Sequence, residues 1–148
     1  MNWQTLVDQV AKFSIQYPPN YKVAEYSNGS GGYLLGCIND PNRGELCMSG
    51  FSIKIYNNYS GGSRREWLFA QYPNIKNFLI NPVFKDLNVQ NVNVLAVLDT
   101  NSGGSTGSWA IIPKGTQIIL LTFPVGGDIS SPGFKSIKQF LSTFKFTN

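Results

Sequence analysis

The chain contains no histidine, so the side chain that most often serves as a general base near neutral pH is missing. Its 14 serines have no imidazole to activate one of them as a nucleophile. Carboxylates are the remaining catalytic option. Eight acidic residues are present: Asp8, Glu25, Asp40, Glu45, Glu66, Asp86, Asp99 and Asp128. Each stands apart along the chain, so no spacing marks a pair of the kind that glycoside hydrolysis uses. A hydrolase is left open only through carboxylates that converge in the fold. Asp99-Thr100-Asn101-Ser102-Gly103 starts like a calcium loop. It places Gly103 at the fifth ligand position and Ala110 at the twelfth, where a bidentate Glu is needed. The Gly-rich runs Gly29–Gly32, Gly61–Ser63 and Gly103–Ser108 lack the P-loop pattern that cradles phosphate. No metal and no cofactor is expected.

Two other groups remain. Tyr56, Asn57, Asn58 and Tyr59 close an alternating segment next to Gly61-Gly62-Ser63. Tyr and Asn exposed at a strand end suit a sugar- or protein-binding surface. Cys37 and Cys47 are separated by nine residues dense in turn formers, among them Asn39, Asp40, Pro41, Asn42 and Gly44. A hairpin centred on Asn42 sets the two cysteines opposite each other, close enough for a cross-strand disulfide.

These residues sit on a strand-rich framework. Phe13, Ile15 and Tyr17 alternate with Ser14 and Gln16, and Pro18-Pro19 stops the run. Strands are also read at Tyr21–Tyr26, Tyr33–Ile38 and Leu46–Tyr56. The period then changes. Ser63 with Glu66 forms a capping box ahead of Trp67, Leu68 and Ala70, and Ile75, Phe78 and Leu79 suggest a further helical turn. Strands resume at Phe84–Val89 and Val92–Leu98. Trp109–Ile112 and Thr116–Phe123 then flank a turn at Pro113-Lys114-Gly115. The last two are apolar on both faces, the mark of a central strand with cover above and below. A second helix begins at Ser131-Pro132 and carries Phe134, Ile137, Phe140 and Leu141 on one stripe. It should end near Ser142 or Thr143, with the residues up to Phe146 extended and apolar side chains buried. The reading is α+β: one domain over residues 1–148, an α/β/α sandwich around an antiparallel sheet of about six strands.

Composition narrows the setting. Only 14% of the 148 residues are charged, with a formal net charge of +4 and three arginines. The lysines are scattered, whereas nucleic-acid binders gather basic residues on one face, so no nucleic-acid partner is expected. A mildly basic domain suits an anionic envelope surface. Met1–Gln16 holds no apolar run of signal-peptide type, and Asp8 interrupts it. Either the protein is cytoplasmic or the chain is a mature extracytoplasmic domain. The Asn/Gly/Ser-rich, histidine-free composition favours the second, a monomer secreted or anchored near a membrane through a segment outside the chain.

Three segments, in order along the chain, carry a resemblance. Phe13-Ser14-Ile15-Gln16-Tyr17-Pro18 resembles the opening of PsbP-like domains. Val89–Ala96, followed by a Gly/Ser loop and the Trp109–Phe123 hairpin, resembles their middle. Phe140-Leu141-Ser142-Thr143-Phe144-Lys145-Phe146 resembles the closing "I-L-S-T-F-K-F" of bacterial PsbP-related secreted or lipid-anchored proteins. The family usually has Trp after the opening Pro, and here Tyr21 stands near that place. The resemblance implies an α/β/α sandwich. With no histidine and isolated acidic residues, it carries no photosystem role across. Nor does it carry the Ran binding of the nuclear-import factor that shares the fold. The function expected is a non-enzymatic binding or scaffolding module of the bacterial envelope, whose partner is an unidentified protein or envelope component.

Overall fold

The computed structural model describes residues 2–19, 21–25, 31–37, 51–74, 82–99, 108–123 and 132–147. Ten strands and two helices lie among them, in the order β1 (Gln4–Asp8), β2 (Phe13–Tyr17), β3 (Tyr21–Glu25), β4 (Gly32–Cys37), β5 (Phe51–Tyr56), α1 (Arg64–Gln71), β6 (Pro82–Val89), β7 (Val92–Asp99), β8 (Ser108–Lys114), β9 (Gln117–Phe123), α2 (Pro132–Leu141) and β10 (Lys145–Phe146). Seven strands form one antiparallel sheet in the order β3-β4-β5-β9-β8-β7-β6, one more than expected. Where the sequence indicated a single sheet, β2 centres a second one, β1-β2-β10.

β8 and β9 carry their apolar residues on both faces and occupy the middle of the large sheet, where both faces are covered. On one face Ile111, Ile118 and Leu120 pack with Leu95, Val97 and the α1 residues Trp67 and Leu68. On the other, Ala110, Ile112, Ile119, Leu121 and Phe123 pack with Phe51, Ile53, the α2 residues Ile137, Phe140 and Leu141, and Phe13 and Ile15 of the small sheet. That side of the sandwich is therefore a helix plus three strands. Its centre is aromatic: Phe140 lies 4.5 Å from Phe51, 5.4 Å from Trp3 and 6.0 Å from Tyr21, centroid to centroid. Phe134 lies on α2, and its side chain is outside the described residues; so are Ile75, Phe78 and Leu79.

Local chemistry explains the joints. Ser63 caps α1, its hydroxyl accepting from the Glu66 N–H at 3.2 Å, as the capping box requires. The β6–β7 turn puts Gln90 and Asn91 at φ 51° and 66°, the primed geometry that matches strand twist. The Asn88 side chain steadies that turn by accepting from the Asn91 N–H at 3.1 Å. The β8–β9 turn is displaced from its expected place. Lys114 pairs with Gln117, leaving Gly115-Thr116 as the loop, and Pro113 pairs with Ile118 inside the strand. Gly115 at φ 61° supplies the left-handed residue. Pro113 fits because the β7 ladder stops at Ile111, so no β7 residue pairs opposite the missing N–H.

The β4–β5 register also differs from expectation. A hairpin centred on Asn42 sets Leu35 opposite Ser49, whereas Leu35 pairs with Phe51, two residues on. This pairing keeps Leu35, Phe51 and Ile53 all in the core. Cys37 ends β4, and Cys47 lies outside the described residues, as does the Cys37–Cys47 pairing. β1 has no counterpart in the sequence reading, since only Leu6 and Asp8 of its five residues are even partly buried.

At the C-terminus α2 ends at Leu141, as expected. The chain turns through Ser142 and Thr143, and Lys145–Phe146 pairs with β2 rather than with the large sheet. Phe144 is buried and stacked on Phe13 at 5.6 Å, while Phe146 stays partly exposed beneath the Lys114 ammonium.

Candidate functional site

The Tyr56–Tyr59 segment leaves β5 and passes under α1. The Tyr59 N–H donates to the Thr116 carbonyl at 2.9 Å, tying the segment to the β8–β9 turn. α1 is held above it by side chains. The Trp67 indole N–H donates to Asn58 Oδ1 at 3.1 Å, and Asn58 Nδ2 donates to Gln71 Oε1 at 2.9 Å. The Tyr59 hydroxyl donates to the Gly62 carbonyl, and the Tyr56 and Tyr72 hydroxyls share a hydrogen bond. Between strand end and helix lies a groove of about 370 Å³, lined by Asn58, Tyr59, Ser63, Glu66, Trp67 and Gln71 among others. Glu66 carries the one charge among the described residues of its lining.

The four residues expected to share a surface are therefore divided. Asn58 and Tyr59 line this groove, whereas Asn57 lines a different cavity. Tyr56 lines neither and is half-buried, 5.3 Å from Trp67 in an edge-to-face contact. Trp67 is buried and also binds Asn58. Gln71 and Glu66 were not singled out as site residues. The capping box located their helix, but only the docking of α1 brings it to Asn58.

The second cavity, about 450 Å³, lies where the β1–β2 turn meets β3 and β4. Here the fold brings together two acidic residues that stand far apart in the sequence, Asp8 and Glu25. Asp8 is already engaged. Its Oδ1 accepts from the N–H groups of Val10 and Ala11 at 2.9 and 2.8 Å, and its Oδ2 accepts from the Tyr33 hydroxyl at 2.8 Å. Three donors fix this carboxylate as the organiser of a turn in which Lys12 takes φ 62°. Gln117 adds a bond from Nε2 to the Ala11 carbonyl at 3.0 Å.

Tyr33 is pushed well above its ordinary value of 10.0, first by burial, then by its bond to Asp8 and the charges of Asp8 and Glu25. A raised tyrosine stabilises the fold fully below the unfolded value and loses that contribution as pH rises past it. Stability should therefore fall above about pH 10. Tyr33→Phe should be less stable near neutrality and show a shallower alkaline loss. Melting temperatures of both proteins from pH 7 to pH 11.5, if their difference did not change with pH, would remove this role.

Ser142-Thr143-Phe144-Lys145 has the Ser-x-x-Lys spacing of some acyl-transfer enzymes. It straddles the end of α2 and the start of β10, so the helical turn that would align the two side chains is absent. The Ser142 hydroxyl donates to the Gln139 carbonyl at 2.7 Å. The Asp99–Gly103 run lies outside the described residues from Thr100 onward.

No protein-family model matches the chain. No curated protein sequence matches it either. Solved structures do. The solution structure of cyanobacterial PsbP from Synechocystis sp. PCC 6803 is 14% identical, with a TM-score of 0.61 over 97% of this chain and 92% of that one. A protein from Bacteroides thetaiotaomicron VPI-5482 is 16% identical, with a TM-score of 0.58 over all of this chain and 50% of that one. The Ran-binding protein Mog1p of Saccharomyces cerevisiae is 12% identical, with a TM-score of 0.57 over all of this chain and 97% of that one. At such identities the likeness speaks of the fold, which agrees with the order of motifs from Phe13 to Phe146: the chain has a PsbP-like fold.

Proposed function

We propose that this chain is a non-enzymatic binding or scaffolding module of the bacterial cell envelope that engages its partner through the groove between Tyr59 and α1. The observation that carries this reading is the Asn58 bridge. A polar side chain on the surface is locked between Trp67 and Gln71, so the groove is preformed and binding it costs little ordering. The absence of histidine from the sequence and the engagement of Asp8 by three donors argue against acid–base chemistry. The yeast neighbour is a Ran-binding protein, an instance of this fold serving a protein partner; Ran itself is not carried over. An extracytoplasmic location and a monomeric state belong to the same proposal. No helix among the described residues is long and apolar enough to cross a membrane.

Co-sedimentation with bacterial envelope preparations tests the reading. The protein should pellet with the envelope, and Tyr59→Ala combined with Gln71→Ala should weaken retention about tenfold, equivalent to about 1.4 kcal/mol. An unbound wild-type protein would sink the module. So would hydrolysis of an ester, peptide or glycoside that Asp8→Asn abolishes.

The compartment predicts the state of the thiols. Protein made under oxidising conditions should have an intact mass lower by two hydrogens, with Cys37 and Cys47 bonded, and Cys37→Ser should cost about 2–4 kcal/mol. Two alkylatable thiols in such protein would end the idea.

A further inference from the structure

The face opposite α1 holds a groove of a different kind. It is about 530 Å³, within the range of roughly 300–1,000 Å³ typical of small-molecule sites. Its lining comes from three places: Asn2 and Trp3 ahead of β1, Gln16 on β2, and Gln139, Ser142 and Thr143 at the end of α2. None of these side chains carries a charge, on a protein whose net charge is +4. Asn2, Gln16 and Gln139 are exposed.

The floor is rigid. Thr143 Oγ1 accepts from the Gln16 N–H at 2.9 Å and donates to the Phe140 carbonyl at 2.7 Å, stitching β2 to the end of α2. The Ser142 hydroxyl donates to the Gln139 carbonyl at 2.7 Å, which leaves its oxygen lone pairs to accept. Trp3 leans on Phe140 at 5.4 Å, anchoring the indole to the core while it lines the groove.

We infer that this groove binds a neutral oligosaccharide. A carboxamide offers a donor pair and an acceptor side by side, and a sugar hydroxyl is both donor and acceptor, so three carboxamides around one cavity match a polyhydroxylated ligand. Trp3 adds an apolar ring with a polar N–H, suited to a ligand whose rings have C–H faces and hydroxyl edges. Among the described lining residues there is no cation for a phosphate or carboxylate ligand and no carboxylate for a cationic one. The fixed Thr143 and Ser142 hydroxyls keep the ordering cost to the three carboxamides. The site is separate from the groove beside α1, and either stands without the other.

Titration of isotope-labelled protein with cellohexaose, maltohexaose and chitohexaose, followed by NMR, tests it. At least one sugar should shift the Trp3 indole N–H and the Gln16 and Gln139 side-chain amides saturably at millimolar concentration, leaving the Trp67 indole in place. Asn2→Ala with Gln139→Ala, both at exposed positions, should raise the Kd at least about tenfold without moving the melting temperature. The inference falls if all three sugars leave these signals unmoved, or if the double variant binds as before. It also falls if polygalacturonate or a peptide binds there in preference.

Discussion

Deleting residues 140–148 is expected to abolish the cooperative melt, not to trim a tail. Phe140 joins Trp3, Tyr21, Phe51 and Phe123 into one aromatic cluster across α2, β3, β5, β9 and the start of the chain. Leu141 and Phe144 are each 1% exposed. β10 supplies the second partner of β2, and the Thr147 N–H donates to the Lys12 carbonyl at 2.9 Å. Truncating one buried Phe costs about 3–5 kcal/mol, and a domain has roughly 5–15 kcal/mol in all. Losing two such rings and a buried Leu exceeds most of that range. Phe144→Ala is the milder version and should lose about 3–5 kcal/mol in urea melts. Phe146→Ala should lose less, because that ring is only partly covered. A truncated chain melting within a few degrees of the full one would show the closing segment to be decoration.

Leu68→Ala should detach α1 and take its groove with it. The helix has eight residues, below the roughly 12–15 at which an isolated helix becomes even marginal, so docking is what keeps it formed. Only Trp67 and Leu68 are buried, Leu68 completely. The other attachments are the Trp67–Asn58–Gln71 hydrogen bonds, the Phe69–Phe84 ring contact and, at the edge, Arg64 paired with Asp86 and the Arg65 guanidinium 4.2 Å above the Phe84 ring. Each of these contacts contributes about 0–1.5 kcal/mol, against about 2–5 kcal/mol for a buried Leu. Amide hydrogen exchange over 64–71 should accelerate by orders of magnitude, while β8 and β9 keep their protection. Envelope retention through Tyr59 should fall in step. Unchanged exchange over 64–71 would show that Trp67 and the remaining contacts hold the helix without Leu68.

Several elements were legible without coordinates because their information is local. Alternation at Phe13–Tyr17, the Ser63–Glu66 capping box, the Ile137–Leu141 stripe and the two-faced apolar runs of β8 and β9 each depend on side-chain period or on a cap within a few residues. Those signals determined that the protein is α+β, that Trp109–Phe123 lies at its centre, and where both helices stand. Pairing across distance was another matter. β1 shows too little apolar pattern to be read as a strand, and it exists because Leu6 lies opposite Ile15. Whether β2 joined the large sheet or a small one, and whether Leu35 met Ser49 or Phe51, were choices between arrangements with the same local propensities. So was the convergence of Asn58 with Gln71 and of Asp8 with Tyr33. Ladder hydrogen bonds are nearly alike in competing registers, and closing a longer loop costs only slightly more entropy. The decision therefore fell to which arrangement buries Phe13, Phe51, Phe140 and Phe144 in one core.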